Sequence, residues 1–100
     1  MVKGVPDEKL ARALRARIRR DILHRLGDNN RLMVKEIATK LKITESKASK
    51  HLKFLFDMGV VKMEDEPPKK FYSLKFPEIK ELVEAYDKIV KKMEGKASPS

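Results

Sequence analysis

A chain of 100 residues that is 41% hydrophobic can enclose one modest core, the size of a single small domain. Its 24 lysines and arginines against 15 acidic residues leave a net charge of +9, which favours a polyanionic partner, nucleic acid ahead of an anionic membrane surface. The lack of cysteine excludes disulfides, thiolate metal sites and cysteine nucleophiles, and no apolar run approaches the ~18 residues of a membrane span.

The opening MVKGVPDEK has no apolar core of the signal-peptide kind, so the expected location is the cytoplasm. Abundant lysine and glutamate, with no glutamine at all, match the bias of thermophile proteins. Residues 1–6 read as a flexible arm. Asp7 is placed to cap a helix reaching about Leu26, along which Leu10, Leu14, Ile18, Ile22 and Leu26 recur every four residues. Gly27 then supplies a left-handed stop. The same stretch carries Arg12, Arg15, Arg17, Arg19, Arg20 and Arg25, a basic surface that is either solvated or turned toward phosphate.

Asp28-Asn29-Asn30 reads as a loop, and Arg31-Leu32-Met33 as a short edge strand. Val34, Ile37, Ala38 and Leu41 then form an i, i+3, i+4, i+7 stripe on one short helix, although no good N-cap precedes Val34. Ile43 plugs the following corner, and Thr44 caps a second helix whose inner face is Ala48, Leu52, Leu55 and Phe56. Its outer face holds Glu45, Ser46, Lys47, Ser49, Lys50 and Lys53, and Gly59 ends it. Two helices so joined are the sequence form of a helix-turn-helix.

From Val60 to Lys75 the period changes to two, with a loop over Glu66-Pro67-Pro68-Lys69-Lys70, which reads as a β-hairpin. Pro77 opens a last helix with Ile79, Leu82, Val83, Tyr86, Ile89, Val90 and Met93 as its apolar set. Residues 96–100 are expected to be flexible. The expected fold is therefore mainly α with a small β-hairpin (α+β): one winged helix-turn-helix domain over 1–100, ordered from about 7 to 95, in the order α-α(β)-α-β-β-α.

Base reading falls to Ser46, Lys47, Ser49 and Lys50, since lysine reaches guanine acceptors and serine can meet any base; contact with phosphates alone is the equal alternative for the two lysines. Thr44 and Lys53 would set the helix on the backbone, and Lys69 and Lys70 at the wing tip would meet the minor groove or its phosphates. Glu64-Asp65-Glu66 is awkward beside them, because it repels phosphate. A small core leaves two apolar stripes over, and pairing with a second copy would cover Leu10, Leu14, Ile18, Leu82, Tyr86, Ile89, Val90 and Met93; the alternative is that the terminal helices cover each other within one chain. The charge agrees: residues 34–58 hold six basic and three acidic side chains, residues 76–95 four and five.

The chain resembles the ArsR-type winged-helix repressors. The matching pieces are RRDIL at Arg19–Leu23, MVKEIA at Met33–Ala38, TESKASKHLKFL at Thr44–Leu55, MGVV at Met58–Val61 and KKFYSL at Lys69–Leu74. Together they span roughly residues 10–93, with Ser-x-His-Leu-x-x-Leu the more specific part. The resemblance implies a homodimeric repressor of double-stranded DNA and places His51 near the duplex; an imidazole packed beside Leu52 is the other reading. Metal-sensing members carry Cys-x-Cys where this chain has Met33 and Lys35, and the last helix has no histidine. No metal, cofactor or catalytic residue is therefore expected. Whether a small effector exists stays open, as do a protein-binding winged helix and a sequence-tolerant DNA coater.

Overall fold

The last turn of each helix in this molecule is closed by a specific device, and those closures set where the chain bends. In the computed structural model, residues 5–95 are described. They form α1 (Pro6–Arg15), α2 (Arg17–Asp28), β1 (Leu32–Met33), α3 (Val34–Leu41), α4 (Glu45–Asp57), β2 (Val61–Glu66), β3 (Lys69–Leu74) and α5 (Ile79–Met93). This is the winged helix-turn-helix order read from the sequence, with one helix more than expected. Val5 and Pro6, assigned above to the arm, instead cap and open α1. The expectations for residues 1–4 and 96–100 lie outside the described residues.

The extra helix arises because the expected Asp7–Leu26 helix breaks at Ala16, whose backbone is extended at φ −94° and ψ 133°. A break leaves the last carbonyls of α1 without helical partners. Two arginines supply them. Arg19 donates to Arg12 O at 2.6 Å and Ala13 O at 3.2 Å; Arg20 donates to Leu14 O at 2.5 Å and Arg15 O at 3.2 Å. These guanidiniums therefore serve the fold, which corrects the even choice between water and phosphate for these two side chains.

Gly27 is likewise not a stop. It lies within α2, which ends at Asp28, and a Cβ there would meet Lys80 Cγ at 3.0 Å. Its smallness lets the start of α5 approach. At Gly59 the need is conformational: φ is +83° with open space around, and Val60 N–H closes the helix end onto Leu55 O at 3.1 Å.

The missing cap before α3 has a local answer, since Glu36 Oε1 reaches back to accept from the Met33 N–H at 2.8 Å. At its other end Lys42 adopts φ 57°, and Ile43 N–H returns to Ala38 O at 3.0 Å. Thr44 caps α4 as expected, its hydroxyl accepting from Lys47 N–H at 3.0 Å.

One contiguous core gathers Leu14 of α1, Ile22, Leu23 and Leu26 of α2, Ile37 of α3, Leu52 and Leu55 of α4, Tyr72 of β3, and Ile79 and Val83 of α5. The sheet runs β1-β3-β2, antiparallel throughout, with Leu32 opposite Tyr72 and Val61 opposite Leu74. The hairpin turn is tighter than the expected five-residue loop. Only Pro67 and Pro68 lie outside the strands, so Glu66 pairs with Lys69 and Asp65 with Lys70. Phe56, expected inside, is 45% exposed, because the last turn of α4 carries it off the Ala48-Leu52-Leu55 stripe.

A charged knot ties α2 to α5. Arg20, buried and lying over the Tyr86 ring at 4.6 Å, donates to Asp87 at 2.6 Å, and His24 Nε2 meets the other carboxylate oxygen at 2.7 Å. Burial works to raise the Asp87 pKa, but the hydrogen bonds and charges of His24 and Arg20 outweigh it and hold the carboxyl below its ordinary range. A depressed carboxyl contributes its stability above the unfolded value of about 3.9 and loses it as pH falls through the folded value. Asp87→Asn, which leaves a buried guanidinium short of its counter-charge, should cost about 2 kcal/mol at pH 7. Urea melts should show that gap closing in acid; a gap that persists at pH 2 would contradict the assignment.

Candidate nucleic-acid interface

Helix α4 forms because Thr44 caps it, Glu45 sits in its first turn, and its apolar positions repeat on one side. Ala48, Leu52 and Leu55 are all 0% exposed, so the rotation of the helix about its axis is fixed. The consequence is geometric. Ser46, Lys47, Ser49, Lys50 and Lys53 stand exposed together on the opposite face, with the cap Thr44 exposed at the helix start, each named from the sequence. Among the described residues, none covers them.

His51 lies at the border of that face, half-buried. Burial, then the charges of Arg19, Lys47 and Lys50, push its pKa below the ordinary value, so the ring is neutral at neutral pH. Arg19 explains part of this setting: its guanidinium lies over the Phe54 ring of α4 at 4.3 Å while its nitrogens hold the end of α1. Burial and then Arg15 lower the Arg19 pKa, though it stays a cation at any physiological pH.

The wing carries Lys69 and Lys70 as exposed residues at the outer end of β3, opposite acidic partners rather than in a free loop. Beyond Val61 every β2 residue is exposed, so the outer half of the hairpin overhangs the core. The acidic run is not left to repel phosphate alone. Arg31, which the sequence reading passed over, donates to Glu64 at 3.0 Å and Glu66 at 2.9 Å.

Of the side chains expected at a subunit contact, Leu14 is drawn into the core, and Tyr86 is half-covered beneath Arg20. Leu10, Ile18 and Val90 are half-buried. Leu82, Ile89 and Met93 are 38%, 57% and 81% exposed, a stripe along the outer side of α5. Leu10 and Leu82 also line a groove of about 450 Å³ with Pro6, Met58, Phe76 and Ile79, apolar apart from Glu78. Among the described residues, no three histidine, aspartate or glutamate side chains converge as a metal site would need, and no helix is long and apolar enough to cross a membrane.

Comparison with known proteins agrees with this geometry. The family model described as "Bacterial regulatory protein, arsR family" matches residues 17–63, which hold α2, the helix-turn-helix and the start of the wing. HlyU from Vibrio cholerae is 31% identical, with a TM-score of 0.73 over 89% of this chain and 97% of that one. The transcriptional regulator HlyU from Vibrio vulnificus is also 31% identical, with a TM-score of 0.67 over 83% of this chain and 85% of its own. The homodimeric winged helix-turn-helix DNA-binding domain of Mb0332 from Mycobacterium bovis shares the fold at 22% identity, with a TM-score of 0.75 over 95% and 86%. No curated protein matches the sequence.

Because the charges of Arg19, Lys47 and Lys50 add to burial in lowering the His51 pKa, Lys50→Gln should move it upward toward its ordinary value. Following the ring protons by NMR from pH 5 to 8 checks this; an unchanged or lower midpoint would place the lysine charge elsewhere.

Proposed function

Because this chain belongs to the arsR family of regulatory proteins, we propose that it is a homodimeric regulator that reads double-stranded DNA with α4 and represses transcription by occupying its site. The observation that carries the reading is the division of α4 into two faces: three side chains wholly buried on one, and Ser46, Lys47, Ser49, Lys50 and Lys53 exposed on the other. A helix so fixed, capped and basic is of a size and chemistry to enter the major groove. Ser46, Lys47, Ser49 and Lys50 meet base edges or nearby phosphates, Thr44 and Lys53 set the backbone register, and His51 packs at the groove margin. Lys69 and Lys70 place the wing on the phosphates or minor groove alongside.

A second copy completes the reader. The α5 stripe of Leu82, Ile89 and Met93, with Leu10, Ile18 and Val90 beside it, is an apolar surface that a two-fold contact would remove from water. Two α4 helices then address half-sites about one helical turn apart. The family is one of regulators rather than enzymes.

Two experiments test this. Affinity for a 20-base-pair duplex should fall linearly with salt on logarithmic axes, by about 0.9 per neutralised phosphate. Lys47→Ala and Lys50→Ala should each weaken binding about fivefold to tenfold without lowering the melting temperature. A flat salt response, or two unfolded variants, would overturn the DNA reading. Separately, Ile89→Glu should halve the mass in solution, because it buries a charge in each subunit of the pair; an unchanged dimer mass would move the interface elsewhere.

A further inference from the structure

The wing poses an electrostatic problem for any nucleic-acid reading. Between Val61 and Leu74 three lysines, Lys62, Lys69 and Lys70, face three acids, Glu64, Asp65 and Glu66, so the hairpin by itself has no net charge to offer a phosphate backbone. The sheet order resolves it. Strand β1 flanks β3, and β3 flanks β2, so a side chain just ahead of β1 must cross the central strand to touch the outer one. Arg31 does this. Its guanidinium lies over the Phe71 ring of β3 at 3.8 Å and reaches both Glu64 and Glu66 of β2.

Strand periodicity explains why one arginine serves both acids. Glu64 and Glu66 are two apart on one strand and share a face, and Phe71, opposite Glu64, shares it too. Lys69, opposite Glu66, points to the same side, whereas Lys70 and Asp65 point to the other. Arg31 thus faces both carboxylates from above while the aromatic ring limits where it can go.

We infer that Arg31 is a positioning residue for DNA binding, strapping Glu64 and Glu66 so that Lys69, on the same face, meets phosphate without two free carboxylates beside it. The inference rests on the DNA reading and deepens it. Hydrogen bonds from Arg31 hold the Glu66 carboxyl below its ordinary range, as such a strap requires. The strap is exposed and modest in strength, so its effect on folding is small and its effect on a charged ligand larger.

The experiment is a cycle of four chains on one 20-base-pair duplex: wild type, Arg31→Gln, Glu64→Gln/Glu66→Gln, and all three substitutions together. Arg31→Gln should weaken binding about fivefold, the charge removed and the carboxylates released acting together. The paired glutamate change should raise wild-type affinity less than it raises that of the Arg31→Gln chain, because Arg31 already counters one of the two charges and holds both carboxylates. In the Arg31→Gln chain the same pair should restore most of the affinity, a non-additive result. Additive effects would make Arg31 a plain phosphate contact, and failed restoration would make it a brace of the hairpin; either overturns the inference. As a second readout, Glu66 should titrate higher, toward the ordinary glutamate value, in Arg31→Gln by NMR; an unmoved Glu66 likewise overturns it. Failure of the wild type to bind duplex would instead remove the DNA reading beneath it.

Discussion

Three buried side chains on α4 decide what its other side can do. Ala48, Leu52 and Leu55 rest on the core formed by α2 and α3 with no exposure at all, and a helix held at three points along one stripe cannot roll. Truncating either leucine to alanine would cost about 2–5 kcal/mol, a large part of a small domain's stability, so the orientation is enforced strongly. The lysines and serines opposite are exposed as a consequence. Their function as a surface depends on no contact of their own.

The remaining architecture supports that helix from both ends. Thr44 and Gly59 close its termini, while Arg19 reaches from α2 to lie over Phe54. Behind it α2 packs against α1, α3, α4, α5 and β3, and the Arg20–Asp87–His24 knot joins α2 to α5. A subunit contact through α5 would thus be mechanically continuous with the exposed face of α4. The wing sits apart from this core, balanced in charge and trimmed by Arg31.

Much of this was legible in the sequence because it is local. The stripe Ala48-Leu52-Leu55, the Thr44 cap, the Gly59 stop and the alternation of the hairpin each depend on residues within a few positions of one another. The errors share a different origin. The break at Ala16 is made tolerable by Arg19 and Arg20 turning back onto carbonyls six or seven residues away, and in a basic chain such arginines look like phosphate ligands. Gly27 looks like a stop in the sequence because its packing against Lys80 is a tertiary fact. The role of Arg31 is hidden there for the same reason. The spacing of Glu64 and Glu66 hinted at a cation on the same face, but only the strand order β1-β3-β2 says where it comes from.

The central claim is that the exposed face of α4 is the surface that meets the duplex. Titrating nitrogen-15-labelled protein with a 20-base-pair duplex and following the backbone amides tests it directly. The account requires the largest shifts from Thr44 to Lys53, with smaller ones at the outer end of the hairpin. Shifts concentrated on α5 or in the groove beside Leu10, with the α4 amides silent, would contradict it.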